Sequence, residues 1–173
     1  MMGARVVISN GKAIEPVEFV PADGAASPDI RALYDYWHCV RGEKLMPLRT
    51  EISLAPIKRL LKHIHMYDVV DGGLDFRTRV MGTDVFIGKG IDSTGKLLSE
   101  EPNEGARARL GRPLRHVVST AKPVRVLAQR PGKDLYQVFA IESLWLPLGA
   151  QGTVDQVLAM TIYTQKLDTT PEA

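Results

Sequence analysis

Cysteine is almost missing from this chain: Cys39 stands alone in 173 residues. One thiol cannot close an intrachain disulfide, so no disulfide framework is expected and a reducing compartment fits. Long apolar runs are missing too. No stretch approaches the ~18–20 residues of a membrane span, and the start "MMGARVVISNGK" lacks the apolar centre of a signal peptide. Charge is nearly balanced at +2, too little to demand a nucleic-acid partner. No Ser-His-Asp or Cys-His constellation stands in a catalytic context, and no internal repeat is visible. The expectation is a cytoplasmic, non-enzymatic protein with no membrane or nucleic-acid partner. What is present is an ordinary globular mix, 45% apolar and 24% charged, in a length that suits one domain with an appendage.

The order of elements follows from periodicity and punctuation. "RVVISNGKAIEPVEFV" reads as a short hairpin turning at Asn10-Gly11, then "PADGAA" as a linker, so residues 1–26 form an arm. Ser27-Pro28 opens a helix with Ile30, Leu33, Trp37 and Val40 on one stripe and Gly42 at its end. Ser53 caps a second predicted helix, with Ile57, Leu60, Leu61 and Ile64 apolar. From His63 the period changes to two. "HIHMYDVV" and "DFRTRVMG" are strands joined by Asp71-Gly72-Gly73. A glycine-rich stretch follows, then a longer helix that Gly111 and Pro113 are expected to break. The last third reads as three strands, "PVRVLAQR", "LYQVFAIESLWLPL" and "VDQVLAMTIYTQ". The expected class is α+β: a five-stranded antiparallel sheet with helices packed on one face, preceded by N-terminal helices. The expected boundaries are an arm at 1–26, leading helices at 27–64, a core at 63–166 and a flexible tail at 167–173.

Within the glycine-rich stretch, "GIDSTGKLL" (90–98) matches the phosphate-binding pattern G-x-x-x-x-G-K-[S/T] except at its last position, Leu97. That pattern needs a buried parallel strand before it and a helix N-terminus after it. Here the preceding strand belongs to a hairpin, and Leu97 leaves a magnesium ion without its hydroxyl ligand. The glycines read instead as joints between short helical turns.

The motifs "LYDYW" (33–37), "RGEKLMPLRTEI" (41–52), "APIKRLLKHI" (55–64), "YDVVDGGLDFRTRVMGTDV" (67–85), "GIDSTGKLL", "AKPV" (121–124) and "ESLWLPLGAQG" (142–152) occur in an order that resembles the PAS fold. The chain is most similar to a bacterial subgroup of stand-alone PAS domains, over roughly residues 28 to 165. The resemblance implies a sensory or interaction module, commonly a homodimer, whose sheet and helices enclose a small-molecule pocket. It names no ligand, because the fold hosts many.

Candidate residues follow. Arg77 and Arg79 share one strand face with Met81, while Phe76, Thr78 and Val80 take the core face. Both arginines are either solvated or paired with Asp68 or Glu142, or else Arg79 is a clamp for a carboxylate or phosphate at the pocket mouth. Thr83 either caps the next helix or joins that site, and Tyr136 and Glu142 complete the ligand-binding candidates. Cofactor identity stays open. His116 on the longer helix is the candidate haem ligand, whereas Cys39 lies far outside the helical insert that a flavin adduct requires. His63 and His65 share a face but are too few for zinc. Arg107, Arg109, Arg112 and Arg115 form either a solvated face or a dock for an acidic partner or cyclic dinucleotide. Tyr34 and Trp37 are either a dimer seam or a cap on the chain's own sheet. The chain ends soon after its last strand, so output is expected through a homodimer or a signalling protein partner. The function so read is a ligand- or partner-binding sensor, with a ligand-free adaptor as the alternative.

Overall fold

Two-residue alternation of β-branched and aromatic residues generates most of the sheet. The computed structural model describes residues 7–9, 12–14, 18–25, 27–131 and 137–167. Strands β4 (Ile64–Val70), β5 (Asp75–Met81), β6 (Val124–Pro131), β7 (Gln137–Ala150) and β8 (Thr153–Leu167) stand where the alternation places them. The sheet has a sixth strand, however. The short β3 (Glu18–Val20), from the N-terminal arm, pairs with β6 and sets Phe19 opposite Val126, giving the antiparallel order β3-β6-β7-β8-β4-β5. The Asn10-Gly11 hairpin corresponds to β1 (Val7–Ser9) paired with β2 (Lys12–Ile14). Its turn residues, Tyr136 and the tail from 168 lie outside the described residues.

Register decides which residues share a face. His65, Ala159, Trp145 and Val124 lie in one row across four strands. Side chains alternate along each strand. His65, Tyr67, Ser143, Trp145 and Thr161 therefore point one way, and Ile64, Met66, Leu144, Leu146, Leu158 and Met160 the other. All are buried, so both faces of the sheet are covered rather than one.

The second face is covered by α1 (Pro28–Arg41), whose Ile30, Leu33 and Trp37 are buried. Ser27 caps it and Gly42 ends it at φ 56°. The Ser27 N–H donates to Glu142 Oε2 at 3.0 Å, and Glu142 points away from its neighbour Ser143. The stretch Ala55–His63 is a run of 3₁₀ turns rather than an α-helix. It departs from helical geometry at Ile57 (φ −111°), beside Pro56, yet still buries Ile57 and Leu60.

On the first face lie α2 (Thr83–Lys89) and α3 (Glu104–Thr120). The break expected at Pro113 does not occur: α3 runs through it, capped by the Asn103 side chain, which accepts from the Ala106 N–H at 2.9 Å. An interior proline costs about 3 kcal/mol. Ala106, Leu114 and Val117 are buried along the same helix, and this packing offsets the cost.

One parity expectation fails at β5. The β4–β5 register shifts between Met66 and Tyr67, with Val80 opposite Met66 but Thr78 opposite Tyr67. Arg79 is the extra residue of this bulge, and such an insertion reverses the facing of everything beyond it. Phe76 and Thr78 are buried as expected, whereas Val80 is 41% exposed and Met81 turns to the first face.

Gly82 closes β5 against the preceding 3₁₀ turns. Its N–H donates to the Ile64 carbonyl at 2.7 Å, and a methyl group there would lie 2.4 Å from the Lys62 carbonyl oxygen. Gly82→Ala is expected to lower stability by about 2–3 kcal/mol, read as a fall in the urea midpoint at unchanged slope. An unaltered midpoint would show that the two segments are not held together.

The segment after α2 lies along the free edge of β5. Thr78 N–H donates to the Lys96 carbonyl at 3.0 Å, and Gly95 N–H to the Thr78 carbonyl at 2.7 Å. Asp75 anchors its far end. Oδ2 accepts from the Ser99 hydroxyl at 2.6 Å, and Oδ1 accepts from the Phe76 and Ser99 N–H groups at 2.8 and 3.2 Å. Burial acts to raise this carboxyl's pKa, but the bonds from Ser99 and Phe76 outweigh it and hold it below the usual 3.8. A depressed folded pKa gives stability that is complete above the ordinary value and lost as pH falls through the folded one. Asp75→Asn is therefore expected to cost about 1 kcal/mol at neutral pH. Its deficit against the wild-type chain should shrink below pH 3.8. A deficit independent of pH would place the effect elsewhere.

Candidate functional site

Between the first face of the sheet and α2 and α3 lies a cavity of about 90 Å³. His65 and Tyr67 of β4, with Thr161 and Tyr163 of β8, form its polar floor. Ala106, Arg109 and Leu110 of α3, Val85 of α2, Met81 and Ile141 make up the rest. The bulge at Arg79 is what turns Met81 into this wall.

The floor is a connected hydrogen-bond chain. The His65 ring is 1% exposed; Nδ1 lies 3.1 Å from the Tyr67 hydroxyl and Nε2 lies 2.8 Å from Thr161 Oγ1. Trp145 braces it, edge-on to His65 at 5.1 Å and stacked on Tyr67 at 6.0 Å, while its Nε1–H donates to Ser143 Oγ at 2.9 Å. Burial pushes the Tyr67 hydroxyl well above the ordinary tyrosine range, and Tyr163 and Glu101 add to this, so it stays a neutral phenol. A neutral imidazole donates from one nitrogen and accepts at the other. The tautomer of His65 therefore sets which of the two hydroxyls keeps a free proton to offer. The floor can meet a hydrogen-bond acceptor or a donor without moving heavy atoms.

A second cavity, of about 140 Å³, adjoins the first. It is lined by Thr78, Ser93 and Glu101 among others, and Leu110 is common to both walls.

The candidates read from the sequence lie elsewhere. Arg77 is exposed and donates to the Gly95 carbonyl at 3.0 Å; Arg79 Nε is 3.2 Å from Asp68 Oδ2. Both flank the outer side of β5. Thr83 is the first residue of α2 and is exposed. His116 turns towards β3, stacked on Phe19 at 4.9 Å, and is not among the residues lining the cavity. Glu142 faces the other side of the sheet, where Oε1 accepts from Arg125 Nη1 at 2.7 Å. His63 and His65 part company: His63 ends the 3₁₀ run with Nδ1 3.2 Å from Asp84 Oδ2, while His65 enters the floor. No group of three or more His, Cys, Asp or Glu side chains arranged for a metal occurs among the described residues. Trp37, read as a possible dimer contact, is 2% exposed and donates from Nε1 to the Pro147 carbonyl at 3.0 Å; Tyr34 is half-buried beside it. A seam through Trp37 is therefore closed to a second copy in this packing.

Tyr67, Thr161 and Tyr163 are not among the candidates named from the sequence, and His65 stands there only beside His63 as a metal-ligand pair. One signal was available: "HMY" and "TIY" each place two polar-tipped residues two apart inside apolar strands. Arg109 belongs to the basic face of α3. That face is continuous because the helix is, and Arg112 stacks over the Phe19 ring at 5.8 Å.

A family model described as a PAS domain matches residues 25–162. The PAS-B domain of Drosophila melanogaster Cycle, in a variant with bound glycerol, is 15% identical; the alignment covers 58% of this chain and 98% of that one, with a TM-score of 0.39. An RNA-binding light-oxygen-voltage receptor is 14% identical, with a TM-score of 0.46. That alignment covers 86% of this chain and 39% of the receptor, so the chain spans well under half of that protein. No curated protein matches the chain. Among the described residues no helix is long and apolar enough to cross a membrane.

Proposed function

The chain belongs to the PAS domain family, and on that premise we propose that it is a non-catalytic sensory module that takes a small molecule into the cavity between β4, β8 and α3. The observation that carries this reading is the buried Tyr67–His65–Thr161 chain, whose hydroxyls border a space instead of being packed over by apolar side chains. A polar floor under apolar walls is the usual make-up of a ligand site.

The route for a signal follows from the sheet. β7 and β8 contribute alternate residues to the cavity side and to the face under α1. A ligand that prefers one packing of the first face therefore biases the seating of α1 on the second. Output then passes through contacts of α1 or the sheet edges with a second copy or a signalling protein. A cavity of about 90 Å³ favours a ligand of few atoms over haem or a cyclic dinucleotide, and His116 faces away from it.

A thermal-shift screen on the wild-type chain and Ala106→Leu tests the reading. Ala106 lines the cavity, and the added carbons would occupy most of it. A compound that raises the wild-type melting temperature but not that of Ala106→Leu supports the site. Equal shifts in both would place binding elsewhere. No shift with any compound would favour the ligand-free adaptor.

A further inference from the structure

Granted that the cavity is a ligand site, its lining also narrows the ligand's class. We infer that it takes a short-chain monocarboxylate, with the carboxylate towards Arg109 and Thr161 and the alkyl part against Met81, Val85 and Ile141. Size comes first. An apolar cavity of ~150 Å³ holds benzene, so a cavity of about 90 Å³ suits about two to four carbons with a head group.

Charge comes next. Among the described residues the lining holds one cation, Arg109, and no carboxylate. Arg109 is exposed at the rim, its guanidinium lying over Gly105 in the first turn of α3. A guanidinium fork suits a carboxylate in two-point contact.

The floor hydroxyls converge, because one His65 ring joins Tyr67 to Thr161. The anion is placed between Arg109 of α3 and the hydroxyls of that floor. In the tautomer where His65 Nε2–H donates to Thr161, that hydroxyl has its own proton to give to a carboxylate oxygen. Half of the described lining residues are apolar, so a phosphate or sulfate would leave charged oxygens against Met81, Val85 or Ile141, at a desolvation cost that an alkyl tail avoids.

The test is an NMR titration of the ¹⁵N-labelled full chain with sodium propionate, propionamide and propylammonium chloride, repeated on Arg109→Gln and on Arg115→Gln. Arg115 is an exposed arginine of the same helix that does not line the cavity. Propionate is expected to bind saturably, shifting the amides of residues 65, 106, 161 and 163. Arg109→Gln should weaken it about 10- to 100-fold, and Arg115→Gln should leave it unchanged. Tighter binding of propionamide or propylammonium than of propionate would overturn the carboxylate class while leaving the cavity a ligand site. Equal loss in both arginine variants would overturn the role of Arg109. No binding by any of the three probes would overturn this inference; a compound from the thermal-shift screen that still spares Ala106→Leu would then show the site itself to stand.

Discussion

Replacing Trp37 with alanine is expected to lower the unfolding free energy by about 3–5 kcal/mol. The indole is 2% exposed in a cluster with Leu33, Met46 and Leu148, and its N–H is spent on the Pro147 carbonyl. Truncation removes that packing and leaves both a cavity and a buried carbonyl with one partner fewer. Because every named contact lies within the chain, the loss should not depend on protein concentration. Urea melts at two concentrations, with sedimentation alongside, would check it. A stable variant with an altered association state would mean that the tryptophan serves a seam between copies.

The second large effect is expected at Glu142. Its carboxylate and the Arg125 guanidinium are 2.7 Å apart, with side chains only 14% and 10% exposed. Glu142 also accepts the Ser27 N–H at the head of α1, and Arg125 Nε donates to the Pro21 carbonyl at 3.3 Å. The pair therefore clasps the arm and the leading helix onto β6 and β7. Removing one partner strands a buried charge, and Glu142→Ala should cost about 3–5 kcal/mol. Replacing both, as Arg125→Met with Glu142→Leu, removes the charges together and should be less damaging than either single change. Denaturant unfolding of the three variants decides this. A double variant as unstable as the sum of the singles would show that the two charges are not coupled.

The clasp also marks where sequence reasoning stops. Glu142 was legible as an important polar residue, but its side of the sheet depends on which alternate set faces α1, and that follows only from register. The longer strands were legible because a two-residue period in β4, β7 and β8 is a local property. β3 was not: three residues form a strand only because β6 offers them an edge. The bulge at Arg79 was equally hidden, since it exists relative to β4 and yet decides that Met81, not Val80, reaches the cavity. Pro113 misled for the opposite reason. Its local cost is real, and burial of Leu114 and Val117 outweighs it. The site was the least legible part. His65 and Thr161 are 96 positions apart and meet only through strand pairing.

"GIDSTGKLL" is explained by its neighbours. Gly95 adopts φ 83° and its N–H meets the Thr78 carbonyl, so the segment covers the edge of β5 instead of cradling a phosphate. Its Ser93, together with Thr78 of β5, lines the second cavity.

The most direct test of the central claim is native mass spectrometry of the chain purified from its own source cells, beside Ala106→Leu prepared in the same way. The expected result is a small compound retained by the wild-type chain, released on unfolding and absent from the variant. A wild-type chain carrying nothing, or a compound retained equally by both, would contradict it.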